Sequence, residues 1–554
     1  MTRSADDERE VTAVLVHLKK LLRVRNQLCS PLLQLPTETI VRILSFVMTV
    51  LDFHLYTDAW KPIYGTCHRI HEIMRGATEL WWWVDYAQPW MAHFLLVRSK
   101  GNPQVITSDL RFMEMPYTTV RILDHWREQG FRGHSLHTFE FLGPRSSFGH
   151  FSWILERCLH RVRHLRIHVT NRPGEGGPEF GLSDPVALEL PMDMPLQVLD
   201  LLNVTPSWLS LSHLPNGLHE LRLDFKDCNP AVIISEDELF GVLDASPRLE
   251  HLSLVQVGHE VPGRNGEPLP PKRTLQFPNL SSLTLDNDPM VIKYTLAYMD
   301  LPVVTSLSIC SFISREIART LKTRLFPDDH LLARLSSNPS IFAVRVVGLD
   351  DPDNSIEVDI GSIKLGFNFP LDGHENCIEA FMTFIPSLAP PSVTTLKLEY
   401  TQLTEQEWRD FFTLHPEVRS VEFGGYHVSR TLWDALSPAG EDTDILCPRL
   451  ESVSITLFTR NVTLTALSDC LRNRQTAGFK LRHLKVLDSH VNMGGMDMLY
   501  ERFGPLVEVI KADGDSKLTQ RVSFVSHEVG WYSMVSSGDI LKCDGRTIKS
   551  RVPM

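Results

Sequence analysis

The chain lacks most of the features that would give its function away at once. None of its nine cysteines stands in a C-x-x-C pair, and an odd number scattered over 554 residues argues against a disulfide framework or a zinc ribbon. Long apolar runs are missing. The most apolar early stretch, residues 40–56, is broken by Arg42 and Asp52 and is too short to span a bilayer. Basic excess is missing as well: 55 Lys and Arg against 67 Asp and Glu give a net charge of −12, the wrong balance for a general nucleic-acid footprint. The N-terminus, MTRSADDERE, is polar and acidic, unlike a signal or transit peptide. No G-x-S-x-G, Walker sequence, H-E-x-x-H or kinase set occurs, and the Asp328-Asp329 and Asp350-Asp351 pairs sit in turn-like contexts. These absences predict a protein of the cytoplasm or nucleus with no cofactor, no metal, no catalytic residue and no membrane or nucleic-acid partner. With 43% hydrophobic and 22% charged residues, the chain is globular and long enough for several domains or one repeat array.

Residues 1–30 predict an amphipathic helix. Val11, Val14, Leu18, Leu21 and Leu28 recur at 3–4 spacing, with Lys19, Lys20, Arg23 and Arg25 largely off that stripe. Acidic residues before it and basic residues towards its end suit the helix dipole. The stripe fits either a short coiled coil or a helix packed on the following domain. A seam this short is marginal alone.

Residues 31–86 predict a small helical module. Leu35-Pro36 opens a helix in which Ile40, Ile43, Leu44 and Val47 form one apolar face. A second face is carried by Cys67, Ile70, Ile73 and Met74, ending at Gly76 and followed by Leu80 and Trp81-Trp82-Trp83. So few residues make a marginal free domain, whose exposed apolar groups a partner would cover.

Further on, an apolar-x-x-apolar-x-apolar signature recurs. It runs from Leu136/Phe139/Phe141 through Val162/Leu165/Ile167, Leu196/Leu199/Leu201, Leu218/Leu221/Leu223, Leu249/Leu252/Leu254 and Leu280/Leu283/Leu285. It continues through Val304/Leu307/Ile309, Ile341/Val344/Val346, Val393/Leu396/Leu398, Val418/Val421/Phe423, Leu450/Val453/Ile455 and Leu481/Leu484/Val486 to a decayed copy at Leu506/Val509. Starts lie mostly about 22 to 37 residues apart, the length of one supersecondary unit per repeat. Each signature predicts a strand whose alternate residues point into a core. Between them, IEVDIGSIKLGFNF (356–369) alternates like a hairpin. The Gly/Pro-rich stretches 172–181 and 261–273 read as surface excursions. His160, His164 and His168 would share a face on a helix; the repeat register instead makes this a strand with His164, Arg166 and His168 outward.

The order Leu35-Pro36-x-Glu38, Ile43-Leu44, Cys67-x-Arg69, Leu80-Trp81 resembles an F-box. The repeats resemble an irregular leucine-rich-repeat array, nearest to pattern at Val393, Leu396, Leu398, Thr401, Leu403. The Asn which that family places at the Thr401 position is mostly missing. A helix, an F-box and a long array in this order are similar to fungal F-box proteins. The resemblance implies an α/β fold: a short N-terminal helix (1–30), an all-α F-box (31–86), a linker or capping segment (87–130), a leucine-rich-repeat-like α/β solenoid (131–512) and a C-terminal cap or tail (513–554). It implies the substrate-recognition subunit of a Skp–cullin–F-box ubiquitin ligase, not itself an enzyme. The alternative is an F-box scaffold acting without cullin. The implied contacts to the Skp-family adaptor are Leu35, Pro36, Glu38, Ile43, Leu44, Cys67, Trp81 and Trp82. The outward strand residues His164, Arg166, Glu220, Arg222, Asp224, Thr395, Lys397 and Glu399 are the candidates for binding a protein substrate.

Overall fold

The computed structural model describes residues 5–50, 67–111, 115–129, 131–170, 184–214, 217–226, 228, 233–259, 263–264, 267–268, 274–301, 306–312, 342–347, 355–360, 363–368, 393–399, 403–424, 430–438, 445–455, 461–487, 499 and 501–512. They are mixed α/β with extensive parallel sheet. The chain falls into two compact units. One comprises Met1–Ile341 with Pro352–Pro390, and the other Phe342–Asp351 with Pro391–Met554. The residues expected as one array over 131–512 fall in both units, and the tail 513–554 and the 172–181 excursion lie outside the described residues.

The first unit begins with helices. α1 (Ala5–Cys29) is followed by the short α2 (Pro31–Gln34), α3 (Thr37–Val50) and α4 (His68–Gly76). Each start follows from local chemistry. Pro31 occupies the first turn of α2, where no backbone donor is lost, and Glu38 lies in the first turn of α3, favourable to the helix dipole. The Cys67 Sγ caps α4 by accepting from the Ile70 N–H (3.4 Å). Leu33, Ile40, Val41, Leu44, Ile70, Ile73, Met74 and Leu80 are all buried, as is Trp81, whose indole N–H donates to the Met74 carbonyl (2.7 Å).

The chain then enters the sheet. β1 (Trp83–Asp85), β2 (Val105–Asp109), β3 (Thr138–Pro144), β4 (His164–Thr170), β5 (Val198–Leu202), β6 (Glu220–Asp224), β7 (His251–Val255), β8 (Ser282–Asp286) and β9 (Ser306–Phe312) pair in chain order, every pair parallel. Parallel neighbours need a crossover. Here the returns contain α5 (Pro89–Arg98), α6 (Tyr117–Gln129), α7 (Ser152–Cys158), α8 (Trp208–Leu211), α9 (Glu236–Asp244) and α10 (Pro289–Ala297). The ladder therefore begins before residue 131. The segment 87–130, expected as a linker or cap, supplies α5, β2 and α6, because Ile106 and Ser108 continue the same inward alternation without the full signature.

The second unit repeats the arrangement. β10 (Phe342–Val347) pairs with β13 (Thr395–Glu399), then β14 (Ser420–Gly424), β15 (Ser452–Ile455), β16 (His483–Leu487) and β17 (Glu508–Ala512) follow in parallel order. Its helices include α11 (Glu405–Leu414), α12 (Arg430–Leu436) and α13 (Asn461–Thr476). In the first unit, β9 pairs with β12 (Ile363–Asn368), which turns back as the expected hairpin with β11 (Ser355–Ile360), the antiparallel pair of that sheet.

The in-register rows explain the stability of the ladder. Val84, Ile106, Phe139, Leu165, Leu199, Leu221, Leu252, Leu283 and Leu307 lie side by side along one unit, all buried. Each buried aliphatic contributes about 1.5–3 kcal/mol. Because strand side chains alternate, the polar residues between them share the opposite face. At the turns, Asn203 adopts φ 58° and its amide donates to the Val169 carbonyl (2.8 Å), while the Asn287 amide donates to the Val257 carbonyl (2.6 Å). These side chains satisfy backbone oxygens of the preceding unit, the job expected of an Asn one position later in the signature.

Candidate binding surfaces

Two surfaces of the first unit collect most of the predicted residues. On the helical module, Pro36, Glu38 and Ile43 are exposed and Leu35, Cys67 and Trp82 are half-buried. Leu44 and Trp81 are not surface groups. Both are buried, Trp81 edge-on to Phe94 (centroids 5.6 Å apart), so they hold the module together instead of meeting a partner. Sequence periodicity could not separate them from Ile43, since all lie on apolar positions. Phe46 was not expected here. It lies three residues after Ile43 on α3, on the same side of the helix, and is 68% exposed. Leu32, also exposed, adds to the apolar surface at α2. Arg69 ties this corner: its guanidinium donates to the carbonyls of Leu33 and Leu35 (3.0 Å to Leu35), fixing the chain that leads into α3.

The second surface is the polar face of the parallel ladder. In register across β3 to β6 stand Glu140, Arg166, Asp200 and Arg222, alternating in sign. Arg166 Nε donates to Asp200 Oδ2 (2.8 Å), and Arg166 Nη1 lies 3.6 Å from Glu140 Oε1. His168 Nε2 meets Asp200 Oδ1 at 2.8 Å. Asp200 is the centre of the group and only 2% exposed, roofed by its cationic neighbours. Burial pushes its carboxyl up. The His168 hydrogen bond and charge, the Arg222 charge and the Arg166 hydrogen bond outweigh that, and the pKa falls below the ordinary carboxylate value. Asp200 sits between Leu199 and Leu201, on this face by the same alternation as Arg166 and Arg222, and is not among the candidates that the sequence singles out.

Beyond Arg222 the same row continues through Ser253, Thr284 and Ser308 to Lys364, short hydroxyl side chains between two exposed cations. Asp224 and Asp286 lie on the adjacent row of this face. Burial, with the nearby Asp224 charge, raises the Asp286 pKa to about 6. At the other end of the ladder, burial raises Asp85 to about 6, the Asp109 charge adding to it against the opposing Ala87 N–H hydrogen bond.

His164, Arg166, Glu220, Arg222 and Asp224 therefore share one face, with His164 and Arg222 the most exposed of them. Thr395 is half-buried and belongs to the second unit, so it joins no site with them here. The side chains of Lys397 and Glu399 lie outside the described residues. Of the 261–273 stretch, Gly263–Arg264 and Glu267–Pro268 form a short antiparallel pair.

Among the described residues no helix is long and apolar enough to cross a membrane. No protein-family model matches the chain, and no curated protein matches it.

Proposed function

We propose that this chain is a binding protein: the substrate-recognition subunit of a Skp–cullin–F-box type ubiquitin ligase, its helical module an F-box and its strand-and-helix ladder a leucine-rich-repeat-like solenoid. The observation that carries the reading is the split of the module's apolar residues. Ile40, Leu44, Ile70, Met74 and Trp81 close an internal core, while Pro36, Ile43 and Phe46 stay at the surface next to the Leu35-Pro36 entry. A self-contained three-helix domain has no use for that second set, and a protein adaptor covers it. The parallel ladder supports the rest of the reading. Its opposite face carries the alternating row Glu140, Arg166, Asp200, Arg222, a fixed array of charge suited to selecting a polar protein surface.

In this reading the chain makes and breaks no bond. It binds the adaptor through the module and a substrate through the polar face, so that a substrate lysine meets the ubiquitin-charged enzyme at high effective concentration. Affinity purification of the tagged chain tests the proposal. Adaptor and cullin together support it; adaptor without cullin favours the scaffold alternative; neither removes the F-box reading.

A further inference from the structure

α1 is a 25-residue helix whose described side chains are exposed along its length, Leu15, Leu18 and Leu22 among them. Apolar groups on an isolated helix of this length do not hold it folded on their own; they need a surface to bury against. We propose that the surface is α1 of a second copy of this chain, paired antiparallel.

The argument is the order of residues along the seam. At alternating spacings of three and four, a second register that shares Val11 and Leu18 with the stripe above reads Glu8, Val11, Leu15, Leu18, Leu22, Arg25, so Arg25 ends this seam although it lies off that stripe. Turned end for end, this string maps onto itself. Leu15 falls opposite Leu18, Val11 opposite Leu22, and Glu8 opposite Arg25. Two antiparallel copies bury their aliphatic layers against each other and close both ends of the seam with an acid–base pair. A parallel pair stacks Glu8 on Glu8 and Arg25 on Arg25, which is repulsive at both ends. α2 begins at Pro31, directly after α1, so the pairing sets the two helical modules at opposite ends of a helix pair about 37 Å long.

The test is sedimentation equilibrium of the full chain across a dilution series. A monomer–dimer equilibrium is expected, abolished by Leu18→Lys at an exposed position that leaves the monomer folded. Arg25→Glu sets acid against acid at both ends and weakens the dimer about five- to tenfold. Adding Glu8→Arg to it restores the dimer, a rescue that a parallel pair does not give. Mild oxidation supplies an independent readout. The exposed thiol of Cys29 lies at one end of α1, so antiparallel copies hold the two thiols apart and form no disulfide across the seam. A chain that stays monomeric at every concentration, a Cys29–Cys29 disulfide dimer, or failure of the charge-swap rescue overturns the proposal.

Discussion

Replacing Asp200 by Asn removes the anion on which the polar face is organised. Asp200 accepts hydrogen bonds at 2.8 Å from Arg166 and at 2.8 Å from His168, and faces Arg222. Hydrogen bonds to a charged group contribute about 1.5–3 kcal/mol each. Arg166 is 41% exposed at its side chain and regains water when its partner goes, which cuts its share. The expected loss is about 2–3 kcal/mol, or about 3 °C in Tm for a cooperative unit of this size. Urea unfolding of wild type and variant measures it. The pH dependence fixes the cause. A carboxylate whose folded pKa lies below its unfolded value contributes stability that is present above an ordinary carboxylate pKa near 4 and lost as pH falls through the folded value. The gap between wild type and Asp200→Asn is therefore full at pH 7 and closes below about pH 4. A loss under about 0.5 kcal/mol, or a gap unchanged in acid, would refute the assignment of Asp200 as a charged, paired centre.

Asp85 and Asp286 behave in the opposite sense. Each has a folded pKa raised to about 6, so what they contribute is fully present below about pH 4 and lost as pH rises through about 6. Asp85→Asn and Asp286→Asn should each stabilise the protein at pH 7 and lose that advantage by pH 4, as read by thermal melts at both values. Trp81→Ala, which deletes a buried indole and orphans the Met74 carbonyl, should cost about 3–5 kcal/mol in chemical denaturation. Arg222→Glu, on an exposed side chain, should impair substrate capture in pull-down while leaving adaptor binding unchanged, and should lower Tm because it sets a second carboxylate beside buried Asp200; unaltered capture would move recognition off this face.

The inward half of the ladder was legible from sequence because strand alternation is strict. The core positions from Leu136 to Leu285 are buried as the signature required, and the hairpin near 355–368 was visible in its period-two pattern. The start of the ladder was not legible. Three residues before the inward Val84 and Ile106 stand Trp81 and Pro103, where later copies have Leu or Val, and Ser108 occupies an inward position that other strands give to Phe, Leu or Ile. Nor does a repeating signature announce where one compact unit ends and another begins, since each copy reports only its own strand. At the module, Ile43 and Leu44 are adjacent, and the pattern cannot say that one is exposed and the other buried. That difference comes from where α4 and Trp81 pack. The buried state of Asp200 was equally hidden, because an outward position becomes covered only when the neighbouring strands happen to carry Arg and His.

The surface around Leu35, Pro36, Ile43 and Phe46 is proposed to hold a Skp-family adaptor, and the decisive test is co-purification of that adaptor with the chain and with its Leu35→Ala/Pro36→Ala variant. Adaptor and cullin are expected with the wild type, and neither with a variant whose ladder melts as before. Equal recovery of adaptor with wild type and variant would contradict it.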